Sequence, residues 1–382
     1  MKIAIDARMY GPEFGGGGLG RYVEQLVTHL QDLDEEHVYK LFLKPGNAKT
    51  CTITNPNFEK KVVDIHWYTV KEQLKLPGRI DAVGADLVHF PHWNVPLRIK
   101  TPFVVTIHDL ILLEQPMSAK AKATTRNPLV YWAKYAAYKR VLKHAVTASR
   151  HIIAVSDYTK AAIQKHFPQV GADKISVIHE GVTDFPQTEE AALPKSLEGE
   201  TYFLYVGNAY PHKNLESLMH AFSYFYRLHP EVKLVLAGRE DVFYERLKKE
   251  LDEIDVPNEA VHFAMNPSDA KLRRLYENAR LYLFPSKSEG FGLPPLEAMQ
   301  LGVPVAAART SSLPEILGDA AIYFSPDDLE EMVSVMEKVL EDAETRESLR
   351  KKGKEQVKKY AWRDMAAATK SIYKQIITES NP

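Results

Sequence analysis

The run Phe103-Val104-Val105-Thr106-Ile107 can be buried on either face of a strand. That marks a strand covered on both sides, as in a parallel sheet with crossover helices. Short Val- and Ile-rich runs of this kind alternate with longer helical patterns along most of the chain. In the first half the strand segments are 2–6, 39–44, 62–67, 87–90, 103–108, 151–156 and 175–182. In the second they are 201–207, 233–238, 261–265, 281–286, 303–308 and 320–324. Repeated strand–helix order predicts an α/β protein whose ligands meet the carboxyl ends of the strands. The 382 residues suffice for two such domains. The break falls near 184–200, where Asp184-Phe185-Pro186-Gln187-Thr188-Glu189-Glu190 is polar and has no strand period. The expected domains are therefore 1–183 and 184–361, with two closing helices at roughly 327–358 and 363–378.

Composition narrows the function classes. Cys51 is the only cysteine, so no internal disulfide forms, which fits a reducing compartment. The opening Met-Lys-Ile-Ala-Ile-Asp reads as a strand, not a leader, and no stretch approaches the ~18–20 apolar residues of a spanning helix. A cytoplasmic protein is expected. Residues 1–183 hold 24 Lys+Arg against 17 Asp+Glu, a balance of +7, and the remainder holds 25 against 33, a balance of −8. From Gln115 to Ser156 there are eight basic residues and no acidic one. Charge of this kind speaks to partners. No recognition module accompanies it, so nucleic acid is not expected.

Four motifs carry candidate chemistry. Gly15-Gly16-Gly17-Gly18-Leu19-Gly20 precedes a helix expected near Arg21. Glycines here let backbone amides approach a phosphate at a helix N-terminus. The spacing fits a dinucleotide fingerprint poorly, since the glycines begin well past Asp6 and the second strand ends in Leu43-Lys44-Pro45-Gly46 without an acid. A flexible surface loop is the alternative. His108-Asp109 closes the strand Phe103–Ile107, where a histidine meets a sugar hydroxyl or phosphate; Asp109 alternatively caps the next turn. The third motif is Ser286-Lys287-Ser288-Glu289-Gly290-Phe291-Gly292-Leu293-Pro294-Pro295-Leu296-Glu297. Its prolines suit a first helical turn, and the amides of Phe291, Gly292 and Leu293 then form an anion site flanked by Glu289 and Glu297. A retaining glycosidase pair needs carboxyl groups ~5–5.5 Å apart. Eight mostly helical residues span up to ~12 Å, which is awkward for that chemistry. A capped helix with an acidic first turn is the alternative. The fourth is Val206-Gly207-Asn208-Ala209-Tyr210-Pro211-His212-Lys213-Asn214, where Lys213 is expected to open a helix. A cation there is mildly unfavourable unless an anion lies nearby.

Together with Ile153-Ala154-Val155-Ser156, Leu236-Ala237-Gly238, Gly302-Val303-Pro304-Val305 and Leu313-Pro314-Glu315, these segments resemble the retaining, nucleotide-sugar-dependent glycosyltransferases of family 4. That resemblance covers nearly the whole chain. It implies the GT-B fold: two Rossmann-like parallel-sheet domains facing a central cleft, with 362–382 crossing back to the N-terminal, acceptor-side domain. It implies a hexose bound by Glu289, a ribose by Glu297, and a diphosphate held by Lys213 and the amides of Phe291, Gly292 and Leu293. Donor contacts are implied also for Gly17, Gly18, Gly207, Asn208, Gly238 and Arg239, and His108 faces the reacting region. The family usually carries arginine where Asn208 stands, so the cationic role rests on Lys213 alone, or with Arg239 or Arg21. The implied reaction moves a hexose from a nucleotide diphosphate to a saccharide or lipid-linked saccharide, by front-face displacement with retention. No Asp-x-Asp and no histidine–carboxylate spacing suggests a metal, and no cofactor beyond the GDP- or UDP-linked donor is expected.

Mannosyltransferase-like members match best in Gly-Leu-Pro-Pro-Leu-Glu-Ala and Pro-His-Lys-Asn, which puts GDP-mannose ahead of UDP-glucose types. The basic and aromatic stretch 118–150 points to an anionic lipid surface; an amphipathic helix with lysines in water is the alternative. An epimerase of the same fold, or a non-catalytic nucleotide-sugar binding module, are the competing readings.

Overall fold

The computed structural model describes residues 1–115, 128–183, 185 and 192–380. Part of the expected linker, at 184 and 186–191, and residues 118–127 of the basic stretch lie outside the described residues. The chain divides into two compact units, one of Met1–Leu113, Arg126–Gly181 and Ala361–Pro382, the other centred on Val182–Tyr360.

The first unit carries seven strands: β1 (Lys2–Ile5), β2 (Val38–Leu43), β3 (Phe58–Val62), β4 (Leu87–Phe90), β5 (Phe103–Ile107), β6 (His151–Ala154) and β7 (Ile175–Val177). They pair in the order β3-β2-β1-β4-β5-β6-β7, every pair parallel. The second unit carries β8 (Thr201–Val206), β9 (Val232–Gly238), β10 (Val261–Met265), β11 (Leu281–Phe284), β12 (Val305–Ala308) and β13 (Ala321–Phe324). Their order is β10-β9-β8-β11-β12-β13, again all parallel. Counted within its own unit, each sheet therefore begins 3-2-1-4-5-6. This doubly wound order reverses between its first and fourth strands, and the carboxyl ends there open a crevice for ligands. Two such switch points exist, between β1 and β4 and between β8 and β11.

The apolar-on-both-faces pattern identifies the central strands correctly: every residue of β4, β5, β6, β11 and β12 is buried. In the first unit Val105, Ile107 and Ile152 share a core with Leu76, Ile80 and Leu142 from the covering helices. The segment expected at 62–67 is displaced. The strand is Phe58-Glu59-Lys60-Lys61-Val62, at the sheet edge, where only Phe58 is buried and three charged residues mask the apolar signal. The single helix expected over 327–358 is two, Leu329–Glu341 and Ala343–Gln356, because the Asp342 carboxylate accepts from the amides of Glu344 and Thr345 and starts a new helix.

The last helix, Trp362–Ser380, belongs to the first unit and packs along helix Gly18–Leu33. Tyr373 Oη lies 2.5 Å from His89 Nδ1 of β4, and Lys370 Nζ donates to the Leu33 carbonyl at 2.6 Å. Burial holds His89 near a pKa of about 3, so it is a neutral structural histidine. Gly181 is required where the chain meets this helix: a Cβ there would stand 2.2 Å from the Trp362 amide nitrogen.

Candidate active site

In the second unit the loops that follow β8, β11 and β12 are sewn together at the switch point. The Lys287 amide donates to the His212 carbonyl at 2.7 Å, and Ser286 Oγ donates to the same oxygen at 3.2 Å. Ser311 Oγ accepts from the Glu289 amide at 2.9 Å. Ser312 Oγ reaches the carbonyls of Glu289 and Phe291, each at 3.1 Å. These bonds fix the loop whichever ligand is present. Within it Lys213 Nζ, from the β8 loop, meets Glu289 Oε1, from the β11 loop, at 2.6 Å, with side chains 13% and 10% exposed. The pair bridges the crevice between β8 and β11. The Ser288 hydroxyl, one residue before Glu289, is buried with no hydrogen-bond partner among the described residues. A buried ion pair at a switch point, with an unsatisfied hydroxyl on the same loop, marks a site built to hold something polar.

Lys213 does not open a helix; it ends the turn Pro211–Lys213, and helix Leu215–Tyr226 starts beyond Asn214, which takes φ 62. Burial, helped by the Lys213 charge, lowers His212 to about 4, so Lys213 is the cation of this turn near neutral pH. Asn208 folds onto its own loop, its Oδ1 accepting from the Tyr210 amide at 3.3 Å. Arg239 is exposed and makes no hydrogen bond or ion pair among the described residues. Helix Leu293–Gln300 is preceded by Gly292 at φ 102, with Pro294 in its first turn. Phe291 is buried against Tyr360, ring centroids 5.4 Å apart. Glu297 is buried too, with Tyr276 Oη 3.3 Å from its Oε2.

Gly207 and Gly238 have a packing reason to be glycine. A Cβ on Gly238 would lie 2.1 Å from the Gly207 carbonyl, and one on Gly207 would lie 2.6 Å from Tyr205 Oη. Beneath them three buried tyrosines donate to strand-end carbonyls: Tyr205 to Asn208, Tyr244 to Gly207 and Tyr282 to Val206. Burial raises all three pKa values, which keeps them as neutral donors.

In the first unit the glycine run separates into two kinds. Gly15 and Gly20 are packed: a Cβ on either meets backbone at 2.1 to 2.2 Å. Gly16 and Gly17 have φ of 81 and 63 and open space where a Cβ would be, and both amides already donate to the Pro12 carbonyl. The helix begins at Gly18, three residues before Arg21, with Gly17 as its cap residue. His108 sits after β5 with both nitrogens engaged: Nδ1 lies 2.7 Å from Glu180 Oε1 and Nε2 lies 2.9 Å from the Pro91 carbonyl. Burial alone would lower its pKa; the hydrogen bond and charge of Glu180 outweigh burial and raise it. A carbonyl only accepts, so Nε2 carries a proton, and the raised pKa favours a second on Nδ1. This protonation is assigned from partners. Asp109 Oδ1 accepts from the Ile111 amide at 3.0 Å, the capping alternative. Sequence reasoning missed Glu180, which lies 72 residues from its partner; the acid in His179-Glu180-Gly181 just past β7 was its only signal.

Among the described residues no three His, Cys, Asp or Glu gather as a metal site, and no helix is long and apolar enough to cross a membrane.

Comparison with known proteins decides the family. The model for glycosyl transferases group 1 matches residues 187–356, and that for glycosyltransferase family 4 matches residues 16–184. The O-antigen chain mannosyltransferase RfbU of Salmonella typhimurium is 30% identical over 329 residues, spanning 82% of this chain and 84% of that one. The chain belongs to the group 1, family 4 glycosyltransferases. The O-antigen chain mannosyltransferase B of Escherichia coli is 28% identical over 303 residues, 75% of this chain and 74% of that one. Among solved structures, sucrose-phosphate synthase from Thermosynechococcus elongatus shares the fold at 20% identity, covering 99% and 100% of the two chains with a TM-score of 0.76. This glycosyltransferase therefore has the GT-B fold and is a hexosyltransferase of the mannosyltransferase-like kind.

Proposed function

We propose that this glycosyltransferase moves a hexose, mannose ahead of others, from a nucleotide diphosphate to a saccharide or lipid-linked saccharide, with retention and without a metal. The observation that carries the reading is the Lys213–Glu289 pair across the β8/β11 switch point. A diphosphate competes with Glu289 for Lys213, and the freed carboxylate then accepts hydrogen bonds from hexose hydroxyls. Glu297 takes the ribose, while Phe291, Gly292 and Leu293 offer amides at a helix N-terminus. As the glycosidic bond breaks, negative charge grows on the diphosphate and is stabilised by Lys213 and oriented amides. Gly207, Asn208, Gly238 and Arg239 line the donor side in this reading, with Arg239 a second cation for the phosphates.

His108 contributes a held positive charge at the reacting region and not a base, because both its nitrogens already donate. Mannose is favoured because both sequence relatives named above are mannosyltransferases, and a GDP-linked donor is proposed with it. Those relatives equally favour transfer over the epimerase and binding-module readings. NMR of the product formed from GDP-mannose tests the proposal: an α product from the α donor, at a rate indifferent to chelator, is expected. An inverted product, or a rate lost to chelator and restored by magnesium, contradicts it.

The acceptor side is proposed to meet an anionic lipid surface. Helix Pro128–Ala148 buries Tyr138, Leu142, Ala145 and Val146 and exposes Val130, Trp132, Lys134, Lys139 and Arg140. Exposed apolar and basic side chains along one helix suit a headgroup layer. Flotation with anionic liposomes, and none with zwitterionic ones, is expected; indifference to lipid charge ends the idea.

A further inference from the structure

The first unit holds an aromatic stack on a strained loop. Tyr68 takes φ 60, a conformation that bulky side chains rarely adopt. The residue is 53% exposed, yet its ring is stacked on Trp93 with centroids 5.1 Å apart and planes at 17°. Its hydroxyl lies 2.7 Å from His92 Nε2. Trp93 is braced in turn by Tyr138, edge to face at 4.7 Å.

A buried charge network holds this arrangement. Glu72 Oε2 accepts from the Tyr68 amide at 2.8 Å, and Glu72 Oε1 accepts from Asn94 Nδ2 at 2.8 Å. Arg8 Nη2 donates to Glu72 Oε1 at 2.5 Å and to Asp6 Oδ2 at 2.7 Å. Arg8 and Glu72 are each 1% exposed. Buried ion pairs are a weak source of stability, so such a network is better explained by what it fixes. It fixes two loops at the β1/β4 switch point: the one carrying Tyr68 and the one carrying His92 and Trp93. Strained backbone held by surrounding structure is a mark of functional sites.

We infer that Tyr68 and Trp93 form a stacking platform for a pyranose ring of the acceptor saccharide. The inference rests on the proposed glycosyl transfer to a saccharide. The C–H face of a pyranose is apolar and matches the electron-rich face of an aromatic ring, while its hydroxyls stay in water. A rigid, half-exposed tyrosine offers such a face at little entropic cost. Tyr68 positions and selects the acceptor; it takes no part in bond breaking.

Saturation-transfer NMR on the full chain, with methyl α-mannopyranoside, methyl α-glucopyranoside and GMP as probes, tests this. At least one glycoside is expected to saturate on its C–H face. Tyr68→Ala and Tyr68→Gly are expected to weaken it about tenfold, and Tyr68→Phe by no more than about twofold. Glycine accepts φ 60 freely, so Tyr68→Gly keeps the melting temperature and separates lost stacking from lost folding. Equal glycoside affinity in wild type and both truncations overturns the inference, as does no saturable glycoside signal in the wild type. A GMP signal that alone depends on Tyr68 also overturns it, in favour of a base. GDP-mannose binding is measured in parallel. Its absence in the wild type removes the proposed function, whereas its presence without Tyr68-dependent glycoside contact removes only this platform.

Discussion

Each unit of this glycosyltransferase sets a cation against a carboxylate at the carboxyl edge of its sheet, and the two pairs are built differently. His108 is closed: Glu180 holds one nitrogen, the Pro91 carbonyl the other, and the Tyr22 ring lies edge-on at 4.7 Å. Lys213 is open. Its ammonium has three donors, of which the hydrogen bond to Glu289 uses one, and the Phe284 ring lies 5.5 Å away. A closed pair holds a charge in place whatever the ligand. An open pair can be exchanged for a ligand without leaving either partner bare. In the proposed reaction the exchange of charge belongs to the second unit and a fixed field to the first.

The sharpest way to break the contrast is to neutralise the open pair. Glu289→Gln is expected to cut transfer by about a thousandfold, on the order of 4 kcal/mol of barrier, with the fold intact by circular dichroism. Near-normal turnover in a folded variant removes Glu289 from the mechanism. The closed pair is expected to respond in stability. Glu180→Gln is expected to cost about 2 kcal/mol, the scale of a hydrogen bond to a charged group. The sign with pH follows from the raised His108 pKa. Stability from that pair is complete below the ordinary histidine value and fades as pH rises through the elevated one. Melting curves of wild type and Glu180→Gln are therefore expected to differ most near pH 6 and to converge in alkali. A difference that grows with pH means that His108 is neutral.

The sequence makes the fold readable because the central strands are covered on both faces, and continuous apolar runs such as Phe103–Ile107 report this directly. Edge strand β3 escapes because three of its five residues are charged and only Phe58 is buried. Glu289, Lys213 and Glu297 stand out as acids and a base beside glycines and prolines at strand ends. Their pairing does not, since 76 residues separate Lys213 from Glu289 and only the sheet order brings β8 and β11 together. Glu180 and Tyr68 are invisible for the same reason: the partners that give them meaning are His108 and Trp93, on other loops.

Calorimetric titration of GDP-mannose, with UDP-glucose in parallel, into wild type and Lys213→Ala is the most direct test. If the open pair is the donor site, the preferred nucleotide sugar binds the wild type and loses at least about tenfold in affinity in the variant. Equal affinity in a folded Lys213→Ala protein contradicts the account.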